Sequence, residues 1–270
     1  MLLKIPLLTG LLFAAIYPLS FWISHRNPLT NNFHKFHLGL PNFIGGVVVV
    51  ALVFMHGIPL YIKIFTVIWK ILLLAISNYY WKKETVNNFF ITIPCVLGIV
   101  LFVFLQGEMI SYSLLFQKLI SANQIPIINF MSVLSGFIFC LALFSMNLGH
   151  WYLNVHGLPV SHLLRTTYIF WGFVLMRLIL DLCLIVTGRV IWKGESVPLI
   201  YFMQQLDGIL LWIACFFGAL FPAIALYFVY GTLKVKSTQS ATGILYVILS
   251  AVLIGDVAYK YYFFYYGIAL

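Results

Sequence analysis

Residues 127–149 read IINFMSVLSGFIFCLALFSMNLG, and no charged side chain interrupts this stretch. An α-helix rises about 1.5 Å per residue, so a helix of this length crosses the hydrocarbon core of a membrane, which is about 30 Å thick. The apolar run is continuous and does not alternate with period two, which excludes a strand of a transmembrane β-barrel. The stretch therefore predicts a membrane-spanning helix.

The rest of the chain has the same character. Of its 270 residues, 63% are hydrophobic and only 8% are charged, whereas a typical soluble domain is about half apolar and about a quarter charged. A soluble fold of this length has too little interior to hide so much apolar surface. The composition therefore predicts an all-α, polytopic membrane helix bundle.

Eight apolar stretches are long enough to span a bilayer. They cover residues 5–24, 41–58, 60–80, 89–112, 127–149, 166–188, 205–230 and 240–266. We expect the first stretch to be a retained helix, because it has no convincing small-x-small cleavage site of a signal peptide. The loops are too short for a soluble catalytic domain. We predict a single integral membrane domain, 1–270, in which 1–122 and 123–270 form two four-helix halves.

The charge distribution points to a membrane partner. The net charge of +9 would suggest nucleic acid in a soluble protein. Here the basic residues mostly flank the apolar stretches, so anionic lipid headgroups explain them better and we expect no nucleic-acid binding. The four cysteines lie inside apolar stretches without the spacing of a zinc or iron–sulfur site.

Histidines are concentrated in two segments that follow the first and fifth apolar stretches. Six of the seven lie in residues 24–39, SHRNPLTNNFHKFHLG, and residues 149–162, GHWYLNVHGLPVSH. Imidazole is a common ligand of haem iron and can also donate a hydrogen bond to a quinone carbonyl. These segments therefore predict cofactor binding, and the alternative is that the histidines are simply polar residues at the headgroup level.

Three histidines are the candidate cofactor-binding residues. His150 is the first candidate, because it ends an apolar helix and follows Gly149, which leaves space for a flat cofactor. His56 is the second candidate and lies towards the opposite membrane face, and His37 is the third. We consider His150 and His56 as haem iron ligands in separate sites.

Charged residues inside the predicted helices are the second unusual feature. Arg177 and Asp181 lie four residues apart, so they share one helix face, and Asp256 and Lys260 repeat this spacing in the last helix. A lone charge at the centre of a bilayer costs at least about 2.5–3.5 kcal/mol. We therefore expect Arg177 and Asp181 to pair or to face the bundle interior. There they either lock the helices together or bind a headgroup, a haem propionate or a proton.

Two further acids are candidates for moving protons. Glu108 lies near the end of the fourth apolar stretch and Asp207 near the start of the seventh, on the same predicted side as His56. A carboxylate beside a histidine suits proton-coupled quinol oxidation, because one group accepts the proton while the other orients the ring. Helix capping and interface polarity are the alternative reading, since Asp207 near a helix start favours the helix dipole.

Residues 240–262, SATGILYVILSAVLIGDVAYKYY, carry a resemblance to a known family. Together with eight helices and short loops, this segment is similar to the membrane-anchor subunits of the polysulfide reductase and dimethyl sulfoxide reductase family. The resemblance implies two four-helix bundles, quinone binding and electron transfer to an iron–sulfur partner. It implies no site residues, because the histidine segments are not part of that family's pattern.

We therefore expect a membrane subunit of a respiratory or electron-transfer complex in a bacterial or archaeal cytoplasmic membrane. It would bind quinone, haem b or both, and its partners would be lipid and other membrane, iron–sulfur or cytochrome subunits. Two alternatives stay open. The charges inside the helices favour a proton- or ion-coupled transporter of small solutes, and the high aromatic content suits a structural subunit without a cofactor.

Overall fold

A computed structural model describes residues 3–24, 33–83, 85–111, 124–155, 158–268 and 270 of the chain. Eight helices in these ranges are long and apolar enough to cross a membrane, and this confirms the predicted fold class. They are Lys4–Ile23, Phe33–Phe54, Leu60–Trp81, Asn88–Ile110, Ile125–Asn154, Ser161–Thr187, Leu206–Lys234 and Thr238–Tyr266. The chain forms two compact units, Met1–Ser113 and Leu114–Leu270, and each unit contains four of these spans.

The first unit is built around its N-terminal helix. Helix α1 (Lys4–Ile16) continues through a 3₁₀ turn, Tyr17–Ser20, into a single helical turn, α2 (Phe21–Ser24). Three longer helices follow: α3 (Phe33–Phe54), α4 (Leu60–Trp81) and α5 (Asn88–Ser111). Helix α1 packs against α3 and α5, and it is the most buried span of this unit. The faces of α3 and α4 that point away from this core are apolar and exposed.

Helix α3 begins eight residues earlier than its apolar stretch and includes Pro41. A proline inside a helix removes one backbone hydrogen bond, which is why sequence reasoning favours a helix start at this position. Here the side chain of Asn42 donates to the carbonyl of Leu38 at 2.9 Å and supports the same turn. As a result His34 and His37 belong to a helix, whereas the sequence placed them in a loop.

The second unit has a more varied element order. Helices α6 (Ile125–Asn154) and α7 (Ser161–Thr187) are followed by strands β1 (Arg189–Trp192) and β2 (Glu195–Pro198). Then come α8 (Leu199–Met203), a 3₁₀ turn at Leu206–Gly208, α9 (Ile209–Cys215), α10 (Phe221–Lys234) and α11 (Thr238–Tyr266). Helix α11 packs against α6 and α10, and α7 packs against the same two helices.

Strands β1 and β2 form an antiparallel hairpin that the apolar pattern did not predict. Arg189 pairs with Pro198 and Trp192 pairs with Glu195. The two residues between the strands, Lys193 and Gly194, both have positive φ, 52° and 87°. This is the backbone geometry of the tight hairpin turns that match the natural twist of two strands.

A π-helical segment, Phe216–Leu220, joins α9 to α10. Pro222 follows it and has no backbone N–H to donate to the carbonyl of Gly218, four residues earlier. The seventh span therefore widens by one π turn where a regular helix would lack a hydrogen bond. At the same level α11 comes very close, because a Cβ atom on Gly255 would lie 2.3 Å from the Cα atom of Gly218.

Candidate functional site

Five polar side chains from two helices meet inside the second unit, and we call them the charge cluster. They are Arg177 and Asp181 on α7 and Asp256, Tyr259 and Lys260 on α11. Each is at most 8% exposed. Because Arg177 lies ten residues from the end of α7 and Asp256 ten residues from the end of α11, the cluster lies well inside the membrane-spanning length.

Arg177 is held by three protein groups. Its Nε atom donates to Asp181 Oδ1 at 2.9 Å, so the ion pair predicted from the four-residue spacing is present. Its Nη1 atom donates to the carbonyl of Met131 at 3.1 Å and to the hydroxyl of Ser135 at 2.6 Å, both on α6. The guanidinium also lies 4.0 Å from the centroid of the Tyr259 ring, in cation–π geometry.

One guanidinium nitrogen is left over. The Nη2 atom of Arg177 is buried, and it has no hydrogen-bond partner among the described residues. A buried charged donor without an acceptor is costly and therefore uncommon. An ordered water molecule or a small anion beside Nη2 would satisfy it.

Two carboxylates balance the two cations of the cluster. Asp181 accepts a hydrogen bond from the hydroxyl of Tyr259 on its second oxygen, Oδ2, so both of its oxygens have partners. Asp256 forms an ion pair with Lys260 one helical turn away. The cluster thus has no net formal charge, which reduces the cost of placing it in a membrane.

Two small cavities border the charge cluster. The first, of about 10 Å³, contacts Arg177, Asp256 and Ser135. The second, of about 20 Å³, contacts Lys260 and Ser135, and Tyr259 lines both cavities. Each cavity has room for about one water molecule. Hydroxyl, carboxylate and ammonium groups therefore line two partly open spaces, each of about the size of a water molecule.

His37, the third candidate cofactor-binding residue, is buried among aromatic side chains. It is 1% exposed, and its Nδ1 atom lies 2.8 Å from the hydroxyl of Tyr17. Its ring packs against four aromatic rings, whose centroids lie 4.0–6.5 Å away: Tyr17, Phe21, Phe33 and Phe36. Protein side chains therefore surround the imidazole of His37 in this structure.

The two candidate haem ligands lie at exposed positions in different units. His150 is near the end of α6, and its Nδ1 atom lies 3.3 Å from the hydroxyl of Tyr246 on α11. His56 lies in the turn between α3 and α4. Within the described ranges no group of three or more His, Cys, Asp or Glu side chains could hold a metal ion. His25 and His156 lie outside the described residues.

The two candidate proton-transfer acids also lie in different units. Glu108, on α5, accepts a hydrogen bond from the hydroxyl of Tyr61 at 2.5 Å. Asp207 opens the 3₁₀ turn after α8 and accepts from the indole nitrogen of Trp192 at 2.9 Å, so it ties the hairpin to the seventh span. The hydroxyl of Tyr262 donates to the backbone carbonyl of Asp207 at 2.8 Å. Asp207 is thus bound by groups that position a helix end.

Sequence reasoning identified both charged pairs of the cluster but missed Tyr259 and Ser135. Tyr259 could have been found, because it lies three residues after Asp256 and therefore shares its face of α11. Ser135 carries no such signal, since it lies on another helix and serine is common in membrane helices. Only the packing of α6 against α7 brings its hydroxyl to Arg177.

Comparisons with protein-family models, with curated proteins and with solved structures found no match to this chain.

Proposed function

We propose that this chain is a proton-coupled transporter in a bacterial or archaeal cytoplasmic membrane, and that the charge cluster is its proton-binding site. The observation that supports this proposal is the juxtaposition of two buried ion pairs with two water-sized cavities in the second unit. Carboxylates, hydroxyls and water within hydrogen-bonding distance are the usual components of proton pathways in membrane proteins.

The energetic cost of the cluster argues for a function beyond packing. Each charge placed alone at the centre of a membrane helix costs at least about 2.5–3.5 kcal/mol, and pairing recovers only part of this. Apolar side chains of similar volume would hold α7 and α11 together at least as well. The second unit has four charged groups at positions where four apolar groups would have a lower free-energy cost. A role in binding protons explains why the charged groups are present.

Cavity size indicates what the site accepts. Pockets that bind small molecules have volumes of roughly 300–1,000 Å³, whereas the spaces beside the cluster measure about 10 and 20 Å³. A proton or a water molecule fits them, and an organic solute does not. The cavity volumes therefore support a proton site in this conformation, and we expect any cotransported solute to bind elsewhere.

Proton uptake by reconstituted protein tests the proposal. Proteoliposomes that contain a pH-sensitive dye are given a potassium diffusion potential, and the acidification of the lumen is followed. We expect uptake above that of empty vesicles. Asp181→Asn removes the titratable oxygen beside Arg177 and should abolish uptake, and Tyr259→Phe should reduce it.

Glu195→Gln is the control, because Glu195 is an exposed residue of the hairpin and lies outside the cluster. It should leave uptake unchanged. Each variant must elute as a monodisperse protein before its flux is interpreted. Wild-type uptake no faster than that of empty vesicles, or an Asp181→Asn variant as fast as the wild type, would show that the cluster is not a proton site.

A second candidate function is the electron-transfer role, and the pair of His150 and Tyr246 favours it. Both side chains are exposed on the outer surface of the second unit, 3.3 Å apart. In a membrane this surface meets lipid, where quinones dissolve. An imidazole and a phenol at this distance would hold a quinone carbonyl by hydrogen bonds, and Glu108 or Asp207 would then exchange protons at a second position.

Spectroscopy separates this candidate from the transporter. A dithionite-reduced minus oxidised spectrum reveals haem b, and extraction of the purified protein reveals bound quinone. We expect quinone in extracts of the wild-type protein and of Glu195→Gln, and none in extracts of His150→Ala. A flat spectrum with no quinone would contradict the electron-transfer role. If proton uptake were absent as well, a structural subunit, which misfolds without its partners, would remain.

A further inference from the structure

Lys70 is a charged residue at the middle of a membrane-spanning helix, and it belongs to neither proposed site. Helix α4 runs from Leu60 to Trp81, so Lys70 has ten helical residues before it and eleven after it. The nearer end of the helix is therefore about 15 Å away along its axis. A lysine side chain is too short to carry its ammonium from this depth to the headgroups.

All the partners of Lys70 in the first unit are neutral. Its Nζ atom donates to the backbone carbonyl of Asn42 and to the side-chain oxygen of Asn42, both at 2.7 Å. The amide nitrogen of Asn42 in turn donates to the hydroxyl of Ser77 at 2.6 Å. This network fixes the position of the ammonium group without neutralising its charge.

No carboxylate of the described residues forms an ion pair with Lys70. Glu108 is bound to Tyr61, and Glu84, which lies outside the described residues, follows the end of α4 in the sequence. By contrast, Arg177, which lies ten residues from the end of α7, has an aspartate, and so does Lys260 in α11. Lys70 is thus a partly exposed cation at mid-membrane depth, and no described residue supplies it with an anion.

The surface around Lys70 is shaped for another helix. On α3 the neighbouring exposed side chains are Phe43 and Val47, and on α4 they are Val67 and Leu74. A Cβ atom added to Gly46 would lie 3.9 Å from the Lys70 side chain, so only small backbone atoms border the ammonium stem on that side. Small residues flanked by apolar ones allow membrane helices to approach closely.

We propose that this face of α3 and α4 binds a transmembrane helix of a different protein, and that the helix carries an aspartate or glutamate at mid-membrane depth. Charge complementarity identifies the occupant. A second copy of this chain does not qualify, because its two mid-helix acids, Asp181 and Asp256, are already paired. The phosphate of an anionic lipid does not qualify either, because headgroups lie at the membrane surface.

A synthetic helix tests the proposal directly. The full-length chain, labelled with a donor dye, is reconstituted with an acceptor-labelled, leucine-rich transmembrane peptide that has one glutamate at its centre. A peptide with glutamine at the same position is the control. We expect energy transfer to the glutamate peptide with an apparent affinity about tenfold higher than to the glutamine peptide, in line with polar contacts between membrane helices.

Three lysine variants locate the contact. Lys70→Met replaces the ammonium group by an apolar group that lipid solvates well. We expect this variant protein to bind both peptides equally weakly. Lys63→Met is the matched control, because Lys63 lies in the same helix near its end and donates to the carbonyl of Val53. It should bind the glutamate peptide as the wild type does. Lys70→Arg should retain the preference for glutamate.

Three outcomes would overturn the proposal. The first is equal affinity of the wild-type protein for the glutamate and glutamine peptides. The second is an unchanged preference in Lys70→Met. The third is energy transfer between two copies of this chain, unchanged in Lys70→Met and in Lys63→Met, with no transfer to the glutamate peptide. Thermal unfolding of each variant in detergent verifies that the protein is folded before its binding is compared.

Discussion

The guanidinium of Arg177 donates three hydrogen bonds to protein atoms, and each bond depends on one particular acceptor. Nε requires Asp181, and Nη1 requires Ser135 and the Met131 carbonyl. In a dry interior the removal of one member of an ion pair leaves the other uncompensated, whereas the removal of both leaves only a packing change. The pair is therefore expected to behave as one unit when it is mutated.

Asp181→Asn should lower the free energy of unfolding of the second unit by about 3–5 kcal/mol, because it leaves the guanidinium without an anion. The double variant Arg177→Met/Asp181→Leu should lose less than half as much. Reversible unfolding in mixed detergent micelles measures both. A double variant at least as unstable as the single one would show that the pair itself stabilises the fold.

Tyr259→Phe separates the two contacts of the tyrosine. It removes the hydroxyl that donates to Asp181 but keeps the ring 4.0 Å from the Arg177 guanidinium. We expect a loss of about 1.5–3 kcal/mol, typical of a hydrogen bond to a charged group. Tyr261→Phe, at a position outside the cluster, is the control and should leave the unfolding free energy within about 0.5 kcal/mol of the wild type.

Between elements, the approach of α11 to the π-helical segment depends on two glycines. Gly218 and Gly255 face each other so closely that any side chain on either meets backbone or ring atoms. This contact brings Asp256 and Tyr259 of α11 towards α7, and Gly218 itself lines the cavity that Arg177 and Asp256 share. The widened turn thus sets the distance between the helices that form the cluster.

Gly255→Ala should separate these helices and cost about 1–3 kcal/mol, as overpacking of a tight contact does. Gly243→Ala is the matched control in the same helix, since a Cβ there has no heavy atom within 4 Å. It should leave stability unchanged or raise it slightly, because alanine is the better helix former. Equal effects of the two substitutions on the thermal unfolding temperature would contradict the importance of the close contact.

The sequence predicted helices well and the details between them poorly. Continuous apolar stretches determine where a chain can span a bilayer, so all eight spans could be read from the pattern. The hairpin at Arg189–Pro198 was not predicted, because strands of four residues are too short to show a clear periodicity. The π-helical segment was not predicted either. The missing N–H of Pro222 indicates that the helix is irregular there, but it does not indicate which irregular geometry the chain adopts.

The same contrast holds for the site. The i and i+4 spacing places Arg177 with Asp181, because that relation lies within one helix. The partners from other helices depend on which faces pack together, and a single sequence does not contain that information. The surroundings of His37 show the same limit, since the aromatic rings packed around it come from several turns and elements and could not be predicted from the apolar pattern.

For the whole molecule, the division into two units has a consequence for folding. The core of the second unit is formed by its own residues, among them Phe202, Leu211, Tyr259 and Tyr262. The hydrogen bonds from Arg177 to Met131 and Ser135 and from Tyr259 to Asp181 also lie within this unit. We therefore expect the second unit to fold from its own contacts.

We expect a fragment of residues 114–270 to insert into membranes and fold without residues 1–113. Purified in detergent, it should unfold cooperatively. Asp181→Asn should destabilise the fragment by the same amount as the full-length chain, because the local contacts are the same. Aggregation of the fragment when it is expressed alone, or a different effect of Asp181→Asn, would show that the first unit is needed to form the cluster.

The hairpin between α7 and α8 also offers a way to determine membrane orientation. Lys193 is exposed at its tip, and all four native cysteines lie inside helices. A cysteine placed at 193, with the native cysteines replaced by alanine, would react with a membrane-impermeant maleimide from one side of an intact cell only. The side that reacts assigns the compartment of the last residues of α7 and the first residues of α8, and one labelling reaction thus defines the topology of that end of the unit.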